Sequence, residues 1–67
     1  MSVAKVSEIS ATSTIGFEDA IAQGIARANK TLRQVRSAWI KEQHVRIAHD
    51  AITEYQVNMM VTFVIDD

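Results

Sequence analysis

The sequence predicts an α+β fold built from a single β-α-β-β unit that spans residues 1–67. Three observations lead to this fold: one amphipathic helical pattern, one long stretch of strict apolar and polar alternation near the C-terminus, and two weaker extended stretches. Neither a Gly/Ser-rich linker nor an internal repeat divides the chain. We therefore expect one domain.

The first half of the chain predicts a strand followed by a helix. β-branched residues alternate imperfectly with polar ones from Val3 to Ala11, which favours a strand. Three hydroxyl residues at positions 12–14 could then accept hydrogen bonds from the free N–H groups of a helix start. The helical pattern consists of Phe17, Ala20, Ile21, Gly24, Ile25, Ala28 and Leu32. Gly24 on this apolar face is consistent with a close approach to the sheet backbone and almost equally with the ordinary tolerance of a helix for an isolated glycine.

The second half predicts a hairpin of two long antiparallel strands. The first strand covers Val35 to Ile47, and a break at residues 48–50 predicts the turn. Regular alternation would place Ala38, Ile40, Glu42 and His44 on one face of this strand and Ser37, Trp39, Lys41 and Gln43 on the other. In the last strand, Thr53, Tyr55, Val57, Met59, Val61, Phe63 and Ile65 form one uninterrupted face.

The lengths of these elements predict self-association. A helix of roughly 16 residues spans about 24 Å, whereas a strand of roughly 14 residues spans about 46 Å. The strands therefore overhang the helix and leave apolar surface that only another subunit would cover. A domain of this size also buries only about 60% of its unfolded surface. The chain has no Cys for disulfides and no metal-ligand cluster, so oligomerisation is the remaining source of stability.

Composition argues against several classes of function. Seven basic and eight acidic residues give a net charge of −1, which does not suit binding to nucleic acid. Residues 1–11 resemble neither a signal peptide nor a membrane span, so we expect no membrane association. The absence of Cys makes a reducing cytoplasm the default location. No catalytic motif is present, and the spacing of His44 and His49 does not suit a metal pair, so we expect neither an enzyme nor a metal site.

Four stretches of the chain resemble the dodecin family, in family order and spacing. They are STIGFEDAI from Ser13 to Ile21, ANKTLRQV from Ala28 to Val35, ITEYQV from Ile52 to Val57, and VTF from Val61 to Phe63. The resemblance covers nearly the whole chain. It implies a three-stranded antiparallel sheet wrapped round one helix, twelve copies in a hollow homododecameric shell, and ligand sites between subunits.

The resemblance also implies a flavin such as FMN or riboflavin as the bound cofactor. Flavin-binding members stack the ring on a Trp near the start of the second strand and hydrogen-bond its polar edge through a Gln on the third. Gln56 matches that Gln, but the stacking position falls on Ser37, and the only tryptophan of this chain is Trp39. His44 and Arg46, farther along the second strand, are candidates to meet an anionic ligand tail.

Two interpretations therefore remain at the level of sequence. In the first, the shell binds flavin for storage or sequestration, with Gln56, Trp39, Ser37, His44 and Arg46 as candidate contacts. In the second, the shell binds no flavin and holds cations or another small ligand, or is purely structural. Trp39 and Gln56 also suit ordinary roles, as an interface anchor and as a solvent-facing strand residue respectively.

Overall fold

The fold was determined as a computed structural model, which describes residues 3–65. The elements follow the predicted order: β1 (Val3–Ser13), α1 (Phe17–Thr31), β2 (Val35–Ala48) and β3 (Ala51–Ile65). The three strands form one antiparallel sheet in the order β1-β3-β2, so β3 lies at the centre. The predicted β-α-β-β fold with a three-stranded antiparallel sheet and one helix is confirmed.

The core lies between α1 and one face of the sheet. Val57, Met59 and Val61 of β3 are fully buried, together with Ala20 of α1. Because side chains alternate along a strand, the intervening residues of β3 point away from the helix. The surface on that side is called the outer face here, and on β3 it carries Glu54, Gln56, Asn58, Met60 and Thr62.

α1 approaches the sheet closely at Gly24, as the sequence predicts. A methyl group placed on Gly24 would lie 2.6 Å from Met59 Cε and 3.2 Å from Ala11 Cβ. The sequence predicted contact with the sheet backbone. The atoms nearest to Gly24 instead belong to side chains of the sheet. The missing side chain of Gly24 thus makes room for the largest buried residue of β3.

The start of α1 differs from the prediction. Ser13 is the last residue of β1, and its Oγ accepts hydrogen bonds from the backbone N–H groups of Ile15 (2.9 Å) and Gly16 (3.4 Å). The same hydroxyl donates to Asp19 Oδ2 at 2.6 Å. The helix N-cap is Gly16, which has no side-chain cap. Ser13 therefore ties the β1–α1 connection to the first helical turn instead of capping the helix.

A bulge in β2 makes the predicted assignment of its faces wrong. Ile40 and Glu42 pair with consecutive residues of β3, Met59 and Asn58, which leaves Lys41 as an extra residue. An extra residue reverses the alternation of side chains beyond it. The residues of β2 on the outer face are consequently Ser37, Trp39, Glu42, His44 and Arg46. The tryptophan and the histidine, predicted on opposite faces, share one face.

The hairpin of β2 and β3 extends past the helix. Its two-residue turn, His49 and Asp50, has φ angles of 53° and 63°, as in the mirror-image turns that match strand twist. Every residue from 36 to 53 is exposed, and this segment is called the exposed hairpin. Its apolar side chains include Ile47 and Ile52, which are 68% and 50% exposed.

The dimensions of the subunit reflect this overhang. The molecule measures 52 × 19 × 13 Å, whereas the 15 residues of α1 span about 22 Å. The chain exposes 4906 Å², against roughly 4200 Å² expected for a compact monomer of this size. The predicted mismatch between strand and helix lengths is confirmed, and it leaves a large apolar surface outside the core.

The consecutive residues Met59 and Met60 provide a matched test of the sheet's two faces. Met59 is fully buried beside Gly24, so we expect Met59→Ala to lower the free energy of unfolding by about 2–5 kcal/mol. Met60→Ala, on the outer face, removes the same atoms from a half-buried site and should cost less. Urea unfolding at one fixed protein concentration measures both changes. Equal losses would contradict the assignment of faces.

Candidate functional site

The five residues predicted to contact a ligand all lie on the outer face. Gln56 is half-buried on β3, and the other four are exposed residues of β2. The β2–β3 register places His44 opposite Gln56, Arg46 opposite Glu54, Trp39 opposite Met60 and Ser37 opposite Thr62. Directly opposed residues of antiparallel strands have neighbouring side chains.

Within one chain, the structure makes only two of these five residues direct neighbours. Gln56 and His44 are direct cross-strand partners. Trp39 lies at the level of Met60, four residues along β3 from Gln56, which corresponds to about 13 Å. Ser37 lies two residues farther, about 20 Å from the level of Gln56. A single ring in contact with Gln56 therefore does not reach Trp39 or Ser37 of the same subunit.

A polar cluster surrounds Gln56, and its centre is Asn58. Asn58 Oδ1 accepts hydrogen bonds from Ser10 Oγ (2.7 Å) and Gln56 Nε2 (3.1 Å). Asn58 Nδ2 donates to Glu42 Oε1 at 2.9 Å and lies 3.5 Å from His44 Nε2. These five side chains come from all three strands, so the sheet itself assembles the cluster.

Sequence reasoning missed Ser10, Glu42 and Asn58. Asn58 could have been found, because it follows Gln56 by two residues on the same face of a regular strand. Glu42 could not, since the bulge at Lys41 determines that it lies on the outer face opposite Asn58. Ser10 pairs with Asn58 only through the β1–β3 register, over a long sequence separation.

The charged side chains of the outer face are mostly paired. Arg46 Nε donates to Glu54 Oε1 at 2.8 Å, and Lys41 Nζ lies 3.5 Å from Glu8 Oε1. His44 Nε2 is 3.9 Å from Glu42 Oε1. These pairs are exposed, and exposed ion pairs contribute only about 0–1 kcal/mol each. Arg46 is therefore held by Glu54 but can exchange that partner for another anion at little cost.

The ionised form of Glu42 is favoured by its surroundings. The hydrogen bond from Asn58 lowers the pKa of the Glu42 carboxyl below its ordinary value, and the electrostatic interactions with His44 and Lys41 act in the same direction. A carboxyl whose pKa is lowered in the folded state stabilises the fold above its ordinary pKa. That stabilisation is lost as the pH falls through the lowered pKa.

The described residues contain neither a metal-binding cluster nor a membrane-spanning helix. Over positions 3–65, no group of three or more His, Cys, Asp or Glu side chains is arranged to hold a metal ion. In the same part of the chain, the one helix lacks the length and apolar character needed to cross a membrane.

The chain is similar in sequence and structure to known dodecins. The chain is 38% identical over 65 residues to the dodecin of Thermus thermophilus, covering 97% of this chain and 94% of that protein. The crystal structure of a variant of the T. thermophilus dodecin matches with a TM-score of 0.94 and 37% identity over 100% of both chains. A dodecin from Streptomyces davaonensis matches with a TM-score of 0.94 and 32% identity, covering 98% of this chain and 97% of its own.

A further similar structure is described as a calcium-chelating antigen, the calcium dodecin of Mycobacterium tuberculosis. It matches with a TM-score of 0.83 and 28% identity, covering 96% of this chain and 91% of that one.

The fold and the outer face define a small β-α-β-β protein whose polar cluster lies on the uncovered side of a single sheet. The family model for dodecin matches residues 3–66. The chain belongs to the dodecin family, which confirms the resemblance seen in the sequence.

The pKa of Glu42 tests whether the polar cluster forms as described. In Asn58→Leu, the strongest hydrogen bond to the Glu42 carboxylate is lost, so we expect its pKa to rise toward the ordinary value of 4.5. Carboxyl-carbon NMR shifts followed through an acid titration measure this change. Thr62→Val, on the same face of β3 but away from the cluster, should leave the pKa unchanged. An unchanged pKa in Asn58→Leu would attribute the lowering to His44 and Lys41 alone.

Proposed function

We propose that this chain assembles into a homododecameric shell that binds flavin, either FMN, riboflavin or a related flavin, at sites between subunits. The proposed role is storage or sequestration, which limits the concentration of free flavin and quenches its photochemistry. No catalytic step is part of this role. Membership of the dodecin family supports both the assembly and the class of ligand.

The exposed hairpin supports the proposed assembly. Ile47 and Ile52 pair with each other near its end, and Val45 is exposed on the same strand as Ile47. Large exposed apolar surfaces mark interaction sites. The two edge strands of the sheet, β1 and β2, also each have one edge that is not paired with another strand of the same chain. Copies of the same chain would cover these surfaces in a closed shell.

One observation carries the proposed flavin site: Gln56 lies half-buried on the uncovered outer face, within a polar cluster. An amide can hydrogen-bond the imide edge of a flavin ring. The strand that carries Gln56 is packed against α1 at this point, since the neighbouring Tyr55 packs edge-to-face on Phe17 with ring centroids 5.2 Å apart. A fixed polar group beside open surface is the arrangement that orients a planar ligand.

The remaining candidate residues fit a flavin only if two subunits share it. The tryptophan ring of Trp39 is 52% exposed and available for stacking, but it lies about 13 Å along the sheet from Gln56 of its own chain. Trp39 of a neighbouring subunit, brought close by assembly, would supply the platform. His44 lies beside Gln56, and Arg46 is the next cation along β2, so both are placed to meet a phosphate tail.

A flavin titration tests this proposal. Free riboflavin or FMN should lose its fluorescence as protein is added, because a stacked aromatic ring quenches the excited flavin. We expect Gln56→Leu to weaken binding by roughly tenfold, since it leaves a polar edge of the ligand without a partner. The matched control is Gln43→Leu, which alters an exposed glutamine on the opposite face of the sheet. Unchanged flavin emission at high protein excess would exclude flavin binding.

The second candidate function is a shell that binds no flavin and holds cations or another small ligand. Ser37 at the family's stacking position favours it, and so does the similarity to the calcium dodecin. If this candidate is correct, Ser37→Trp should create flavin quenching that the parent protein lacks. Arg33→Trp adds the same ring before β2 and should create none. Quenching by the parent protein would reject this candidate.

A further inference from the structure

Three polar side chains on the outer face form a closed ring of hydrogen bonds. Ser10 Oγ donates to Asn58 Oδ1 at 2.7 Å. Gln56 Nε2 donates to Ser10 Oγ and to Asn58 Oδ1, both at 3.1 Å. The members of the ring are the amide nitrogen of Gln56, the hydroxyl group of Ser10 and the amide oxygen of Asn58.

Glu42 determines the direction of these hydrogen bonds. An ionised carboxylate only accepts hydrogen bonds, so the NH₂ group of Asn58 must face Glu42 Oε1, which lies 2.9 Å away. Asn58 Oδ1 is thereby directed toward Ser10 and Gln56. The Ser10 hydroxyl donates its only hydrogen bond to that oxygen. Toward Gln56 it can therefore act only as an acceptor.

These two acceptors determine which end of the Gln56 amide faces them. Its Nε2 donates to Ser10 Oγ and to Asn58 Oδ1, so the NH₂ group faces these two neighbouring acceptors. Among residues 3–65, no group donates a hydrogen bond to Gln56 Oε1. The side chain therefore presents its carbonyl oxygen to a ligand, while its NH₂ group faces Ser10 and Asn58.

We propose that Glu42, Asn58 and Ser10 are positioning residues that fix the orientation of the Gln56 amide, so that the site selects planar heterocycles carrying a free ring N–H of the imide or lactam type. This inference rests on the proposed function, because it specifies the ligand chemistry of the same site. A ligand edge with acceptors alone would face the lone pairs of Oε1. Rotating the amide to donate would break two hydrogen bonds and set the Gln56 carbonyl oxygen against Asn58 Oδ1 and Ser10 Oγ.

The first test compares two ligands on several variants. The ligands are riboflavin and the same flavin methylated at the imide nitrogen, which cannot donate. We expect the parent protein to bind riboflavin roughly tenfold to a hundredfold more tightly than the methylated flavin. The bulk of the methyl group is common to all variants, so a change in this ratio between variants reports on the amide of Gln56.

In Asn58→Leu and Ser10→Ala the amide of Gln56 is released and can rotate. The affinity ratio should fall at least several-fold in both variants. Glu42→Gln can face Asn58 with either end of its amide, so its ratio should lie between those of the parent and Asn58→Leu. The conservative variant Ser10→Thr keeps the hydroxyl and should keep the parent ratio, as should the control Thr62→Val. The same ratio in the parent, Asn58→Leu and Ser10→Ala would overturn the inference.

The second test needs no ligand. In the assembled parent protein, the side-chain amide proton of Gln56 that is hydrogen-bonded to Ser10 and Asn58 should exchange with water several-fold more slowly than in Asn58→Leu or Ser10→Ala, measured by NMR on ¹⁵N-glutamine-labelled protein. Exchange that is equally fast in the parent and the variants would refute the orientation. If the parent binds neither flavin, the proposed function fails, while the exchange rates still decide whether the three residues hold the amide.

Discussion

The pairing between β2 and β3 continues far beyond the reach of α1, and the other properties of the subunit follow from that mismatch. The helix covers only the central part of one face, where Val57, Met59 and Val61 are buried. Residues 36–53 remain exposed, with isoleucines at positions 47 and 52 among them. A domain this small has little stability to spare. The same geometry that limits the core of one subunit supplies the surface through which copies would stabilise one another.

Because α1 packs on only one face of the sheet, the whole outer face is open, and the bulge at Lys41 determines what that face displays. Without the extra residue, Glu42 and His44 would point toward the helix side. With it, they join Gln56, Asn58 and Ser10 in one polar cluster drawn from three strands. The outer face thus combines a polar cluster around Gln56 with a tryptophan about 13 Å away along the sheet. This separation is the reason for placing the proposed ligand between two copies of the chain.

The sequence predicted the fold well because the strongest signals are local. The alternation along β3 and the three- and four-residue spacing in α1 need no knowledge of the rest of the chain. The small side chain of Gly24 likewise indicated the close contact beneath Met59. What failed depends on pairing: a bulge in β2 leaves no mark in the alternation of Lys41 and its neighbours, and Ser10 meets Asn58 only through register. The face of Gln56 was predicted, but the face that His44 shares with Trp39 and the polar partners of Gln56 were not.

Whether the folded state requires copies of the chain is the central question, and light scattering combined with circular dichroism on a dilution series answers it directly. If the exposed hairpin is stabilised by neighbouring subunits, folded protein will scatter as an assembly of twelve chains, and any monomer that appears on dilution will have lost its secondary structure. A monomer that keeps its full circular dichroism signal in dilute buffer would contradict the account, because the uncovered strands would then be stable alone.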